Sequence, residues 1–307
     1  MRRRLPPLIS VLVVGLVALG AGTSCGTTDT SSGRLDVVAA FYPLAYLAGE
    51  VGGTHVHVTD LTKPGAEPHD LELTPRDVAT ISDADLVVEL ATFQPAVDDA
   101  IEQADAAHVF DASHSARLTN TFTPIEGGRR DDAEVVDPHF WLDPTRAARV
   151  ASALARRLAE VDPAHARAYR ANAERLVAEL DVLDAEYRTG LRNCTQRDLV
   201  TSHNAFGYLA DRYGFEQVGI TGLTPEAEPS PEQLGAVTDF VEQHHVSTIY
   251  FETLISPTVA RSVADETGAT TAVLDPIEAL TKASRGDDYL AVMRSNLQTL
   301  RRGQECT

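Results

Sequence analysis

The feature that most constrains this chain is a long stretch without a strand in it. From Asp143 to Arg192 the sequence is rich in Ala, Arg, Glu and Leu, all strong or fair helix formers. It breaks once, where Asp162 can cap and Pro163 can take the first helical position. After the break, Tyr169, Leu176, Leu180, Leu183 and Tyr187 recur at heptad-like spacing. One helix is predicted there, and roughly 27 residues at 1.5 Å each would span about 40 Å. A bundle helix would satisfy the same pattern. Its position between two strand-rich halves favours a rigid connector.

Both flanks alternate short apolar runs with capped helices. Before the helical stretch, Leu35–Phe41, His55–Leu61, Asp85–Leu90 and His108–Ser113 read as strands. Pro43–Gly53 reads as a helix closed by glycine, and Thr74-Pro75 opens another. After it, Arg197–Ser202, the run "VSTIYFE" and the run "TTAVLD" read as strands, with helices at "NAFGYLADRYG", after the capping box Ser230-Pro231-Glu232-Gln233, at "SPTVARSVADETG" and over Asp287–Arg302. The pattern predicts an α/β fold of two lobes with mainly parallel sheets, joined by a long rigid helix. The expected divisions are an N-terminal lobe over 35–160, the connecting helix over 161–192 and a C-terminal lobe over 193–307.

The first residues stand apart from that pattern. Arg2, Arg3 and Arg4 precede the apolar run Leu8–Ala21 and the small residues "GAGTSCG". This is the tripartite layout of a signal peptide, expected over 1–24. The run is short for a membrane span of about 20 residues. Cys25 resembles a lipidation site, although Gly22 stands where such sites usually carry an aliphatic residue; plain cleavage nearby would release a soluble protein instead. Residues 25–34 then read as a flexible tether. The expected location is outside the cytoplasm, lipid-anchored on the outer face of the cell membrane or periplasmic. With Cys25 lipidated, Cys194 and Cys306 form an even pair in an oxidising compartment, and a disulfide between them is expected.

The net charge is -19, and loss of the leader removes three arginines and no acid. Nucleic acid and anionic lipid surfaces are therefore poor partners, and a cation is a better one. Four side chains carry the chemistry. His69 lies beyond the His55–Leu61 strand, His139 in "DPHFWLDP", His203 directly after the Arg197–Ser202 strand, and Asp275 at the end of "TTAVLD". Ligands of open α/β sheets bind beyond the carboxyl ends of strands, so two candidates from each lobe imply a metal site in the interlobe cleft. Three imidazoles and a carboxylate suit tetrahedral Zn²⁺. Pro68 and Pro138 stiffen the backbone before His69 and His139, while Phe140 and Trp141 would keep water out. Asp70, Asp137 and Asp143 could accept the second imidazole N–H. Each histidine alone is as readily a surface or core residue, and His55, His57, His108, His114, His165, His244 and His245 are read that way.

The segments "GAEPHDLELTPRD", "DPHFWLDP", "TSHNAFGYLADRYGF" and "FETLISPTVARSVADETG…VLDPIEAL" occur in this order. Together they resemble the metal-binding class of ABC-transporter substrate-binding lipoproteins, the ZnuA/TroA-like group, across essentially the whole mature chain. The resemblance implies metal ligands at His69, His139, His203 and Asp275. It also implies a monomer that delivers its ion to a membrane permease driven by a cytoplasmic ATPase. His203, where the manganese branch carries glutamate, resembles the zinc branch, so Zn²⁺ is expected before Mn²⁺. Glu252 matches a family position and is expected to orient a ligand rather than bind the ion itself. Zinc importers often carry a long His-rich loop where this chain has the histidine-free segment 115–136. Two other functions fit less well. A secreted zinc hydrolase with Glu252 as base lacks HExxH or a similar signature, and an adhesin would need a partner surface that nothing in the sequence encodes.

Overall fold

The computed structural model describes residues 33–120 and 136–307. The leader, Cys25, most of the tether and most of the 115–136 segment lie outside the described residues. Among the described residues no helix is long and apolar enough to cross a membrane.

The N-terminal lobe runs β1 (Leu35–Ala39), α1 (Tyr42–Gly52), β2 (Val56–Asp60), α2 (Pro75–Asp83), β3 (Leu86–Glu89), α3 (Pro95–Ala104), β4 (Val109–Asp111), α4 (Ser113–Ala116) and α5 (Pro144–Val161). Then come α6 (Ala166–Gly190) and the second lobe: β5 (Asp198–Thr201), α7 (Gly207–Tyr213), β6 (Glu216–Gly219), α8 (Pro231–Gln243), β7 (Thr248–Phe251), α9 (Thr258–Thr267), β8 (Thr270–Val273) and α10 (Tyr289–Gly303). Each lobe holds one four-stranded sheet, ordered β2-β1-β3-β4 and β6-β5-β7-β8. Every pairing is parallel. Parallel strands are covered on both faces and so read as continuous apolar runs. That is why "LVVE" of β3 is buried throughout.

Local chemistry sets the helix ends. Thr74 caps α2 in a reciprocal box with Asp77, and Asp143 caps α5 by accepting from the Thr145 N–H at 2.8 Å. The break at Asp162-Pro163 forms a 3-10 turn between α5 and α6. Helix α6 has 25 residues, about 38 Å at 1.5 Å each, and buries Tyr169, Leu176, Leu180, Leu183 and Tyr187. It packs on α1 and α5 of the first lobe and on α10 of the second, with the Tyr187 hydroxyl donating to the Met293 carbonyl at 2.6 Å. The two lobes thereby share one helix as a common wall. Helix α10 lies so close to β7 that a Cβ at Gly303 would fall 2.0 Å from the Tyr250 hydroxyl.

Two elements carry too little pattern to be read from sequence. Strand β6, "EQVG", is short and only its last residue is buried. Helix α3 begins on Gln94, which makes no side-chain cap.

Cys194 and Cys306 are disulfide-bonded across 112 residues of sequence. Constraining a loop of that length in the unfolded chain is worth up to about 4 kcal/mol. Reduction is expected to lower the thermal midpoint by roughly 10 °C. Calorimetry with and without reductant measures this, and an unchanged midpoint would show the bond to be dispensable for stability.

Candidate metal centre

The loops beyond the carboxyl ends of β2, β4, β5 and β8 carry one side chain each to a common point. His69 comes from the loop between β2 and α2, where Glu67 Oε1 accepts its backbone N–H at 2.9 Å. His139 comes from the segment before α5, where Asp137 Oδ1 accepts its backbone N–H at 2.9 Å. His203 follows β5 by two residues. Glu278 follows β8 by five residues. The donor atoms of these four residues all lie within 4.8 Å of one another. His139, His203 and Glu278 are at most 1 % exposed.

The three Nε2 atoms face a single oxygen. Glu278 Oε1 is 3.1 Å from His139 Nε2, 3.2 Å from His203 Nε2 and 3.5 Å from His69 Nε2. The outer nitrogens of two rings are held by carboxylates. His139 Nδ1 lies 2.8 Å from Asp137 Oδ1, and His203 Nδ1 lies 2.7 Å from Glu252 Oε1. Ser202 Oγ also donates to that Glu252 oxygen, at 2.7 Å. The second sheet changes winding direction between β5 and β7, and the His203–Glu252 pair bridges the two strand ends there, the usual place for a ligand in such a sheet.

This arrangement selects the tautomer. A neutral imidazole that donates from Nδ1 turns its Nε2 lone pair inward. Inward lone pairs and a carboxylate oxygen repel one another unless protons or a cation lie between them. Without a cation, protons serve. Burial works against a charged His139, but the hydrogen bonds to Asp137 and Glu278 outweigh it and its pKa is raised. Burial likewise opposes a charged His203, yet Glu252 and then Glu278 hold its pKa well above the usual value. For His69 burial prevails over Glu278, and the ring is shifted towards neutrality. Burial would raise Glu278, but the three imidazoles hold it well below the carboxylate range.

The walls are apolar and stiff. Phe140 and Trp141 are fully buried. Trp141 sits 5.2 Å from the His139 ring and Phe93 sits 4.7 Å from His69. A Cβ at Gly207 would lie 2.6 Å from Asp137 Oδ2, so only glycine leaves Asp137 room to hold His139. Behind His69, burial and then the charge of Glu278 push the Glu67 carboxyl up to about 8.

The geometry departs from expectation at Asp275, at Asp143 and at Asp70, which meets the Glu226 carboxyl instead of an imidazole. Asp275 is not among the clustered donors. Its oxygens accept from the Ile277 N–H at 2.8 Å, Ser284 Oγ at 2.7 Å and Thr253 Oγ1 at 3.3 Å. The turn at Ile277 swings Glu278 in instead. Asp143 touches no imidazole of the cluster. It caps α5 and pairs with Arg146 and Arg212 at 3.4 and 3.3 Å. Asp137 and Glu252 do back histidines. Glu278 stands in the quoted motif "VLDPIEAL", and its signal was a carboxylate in an otherwise apolar, buried run.

The profile of the family described as "Zinc-uptake complex component A periplasmic", ZnuA, matches residues 37–303. The chain belongs to the ZnuA family. The high-affinity zinc uptake system protein ZnuA of Bacillus subtilis is 33% identical over 310 residues, 96% of this chain and 95% of that protein. The laminin-binding protein Lmb of Streptococcus agalactiae, described as bifunctional with adhesin and metal-transporting activity, superposes with a TM-score of 0.77 at 34% identity. That match covers 88% of this chain and 99% of Lmb. Zn(II)-bound AdcA from Streptococcus pneumoniae gives 0.74 at 32% identity, over 89% of this chain. The chain spans 58% of the AdcA chain. ZnuA-family proteins are uptake components and not enzymes, which sets aside the hydrolase alternative.

Proposed function

We propose that this protein captures Zn²⁺ outside the cytoplasm with His69, His139, His203 and Glu278, and delivers it to the permease of an ABC importer. The observation that carries this reading is the set of distances around Glu278 Oε1. Zinc–ligand bonds of about 2.0–2.1 Å place tetrahedral donors about 3.3–3.4 Å apart. The oxygen stands 3.1, 3.2 and 3.5 Å from the three nitrogens. His69 Nε2 and Glu278 Oε2 are, in addition, buried with no hydrogen-bond partner among the described residues, as suits atoms made for an ion. Three nitrogens to one oxygen favour Zn²⁺ over Mn²⁺.

The protein's own groups explain capture. Asp137 and Glu252 fix two rings with Nε2 inward, so little ordering of the rings is left for the ion to impose. Phe93, Phe140 and Trp141 keep the cleft dry, which strengthens attraction between the ion and Glu278. The shared wall of α6 limits lobe motion, so the His69 loop is the part of the site best placed to admit the ion. A lipid at Cys25 would hold the protein beside its permease.

Trp141 is the only tryptophan in the chain and lies against His139, so its emission is expected to change on zinc addition and saturate at one ion per chain. Fluorescence titration with native metal analysis tests this, with Mn²⁺ as competitor. Substoichiometric zinc, or equal preference for Mn²⁺, would contradict the reading.

A further inference from the structure

Glu278 reaches the imidazoles from a strained turn. It follows Ile277, a fully buried residue with φ of 60°. A β-branched side chain seldom adopts this left-handed conformation, and such outliers persist only where their surroundings enforce them. Here both polar groups of the Pro276–Ile277 peptide are clamped. Its carbonyl accepts from Trp141 Nε1–H at 2.7 Å. Its N–H donates to Asp275 Oδ1 at 2.8 Å.

The two clamps come from different halves of the chain. Trp141 belongs to the first lobe, in the 3-10 turn Phe140–Leu142, two residues beyond His139. Its own carbonyl accepts from the Tyr289 hydroxyl at 2.5 Å. Asp275 is held in the second lobe by Ser284, Thr253 and Asn296, whose Oδ1 accepts the Asp275 N–H at 3.0 Å. Rotation about the Ile277 N–Cα bond, from its φ of 60° towards the negative-φ region that β-branched residues prefer, turns the chain that follows. The unclamped turn therefore has a relaxed alternative, and taking it re-aims the backbone at Glu278.

We propose that Trp141 is a positioning residue for the ion: its indole N–H, reaching across the cleft, holds the Pro276–Ile277 peptide in the orientation that keeps Glu278 among the three imidazoles. Without that bond the turn at Ile277 relaxes and the carboxylate withdraws. The inference rests on the ligand set proposed above and adds a contact between the lobes that holds the fourth ligand in place.

Trp141→Phe keeps an aromatic ring against Phe41, 5.0 Å away in the wild type, and deletes the N–H. Zinc affinity by chelator competition is expected to fall about tenfold, as for loss of a partner that orients a metal ligand, and release into excess chelator to quicken by a similar factor. The variant that isolates peptide orientation is Ile277→Gly. Glycine takes a positive φ at no steric cost, so adding it to Trp141→Phe removes the drive to turn. The double variant is expected to bind zinc several-fold more tightly than Trp141→Phe, even though a buried side chain is lost. General loosening would give the opposite order. Wild-type affinity in Trp141→Phe, or a double variant no better than the single, overturns the proposal. Should Trp141→Phe fail to fold, Asp275→Ala removes the other clamp and is read against Ile277→Gly in the same way. Wild-type protein that takes up no zinc would instead sink the ligand set.

Discussion

Glu278→Gln is expected to weaken zinc binding by about a hundredfold or more. Apparent free energies of about 10–16 kcal/mol for a closed zinc site, shared over four ligands, leave at least about 2.5 kcal/mol each. The amide keeps the size of the side chain and removes the anionic donor of the cluster. The decisive comparison is Asp275, where the two accounts of the fourth ligand diverge. If Asp275 bound the ion, Asp275→Asn would cost as much as Asp275→Ala. In the structure Asp275 accepts the Ile277 N–H, which an asparagine oxygen can also do. Asp275→Asn is therefore expected to stay within about threefold of wild type, while Asp275→Ala falls about tenfold through its effect on Glu278. Competition titrations of the three variants settle the matter. An Asn variant as weak as Glu278→Gln would return Asp275 to the ligand set.

Acidification is the second large lever. Ligand nitrogens must be unprotonated, so each proton displaced by the ion costs tenfold in affinity per pH unit below the metal-free pKa. His139 and His203 have raised pKa values in the metal-free protein, so both carry protons throughout the range below the ordinary histidine value. His69 is shifted the other way and contributes less. Zinc affinity is thus expected to fall by about a hundredfold between roughly pH 6 and pH 5, with two protons released per ion. Glu278, held well below the carboxylate range, joins only in stronger acid. Calorimetry at pH 6 in buffers of different protonation enthalpy counts the protons. A proton count near zero would mean the imidazoles enter the site already neutral.

Much of the fold was legible because its local rules agree. Caps at Thr74 and Ser230, the break at Asp162-Pro163 and the apolar runs of β1, β3 and β7 each have a physical cause within a few residues. Strand β6 was missed because a four-residue edge strand with one buried position has no period to read. Strand ends offered His69, His139 and His203, and prolines stiffen the frames of the first two, but each alone read equally as a surface or core residue until the motif resemblance singled them out. Glu252 lies against His203 Nδ1, and that expectation rested on the family position and on no local pattern.

The fourth donor shows where sequence stops. The motif "VLDPIEAL" offers two carboxylates three residues apart, and their chemistry is the same. The sequence by itself determined the α/β class, the helical middle, the three imidazoles and the presence of a carboxylate after the last strand, because each depends on residue type and near neighbours. Only the tertiary structure decided which carboxylate faces them. That choice depends on a left-handed Ile277 imposed by Asp275 from one lobe and Trp141 from the other, more than a hundred residues apart in sequence, and no local pattern records such a contact.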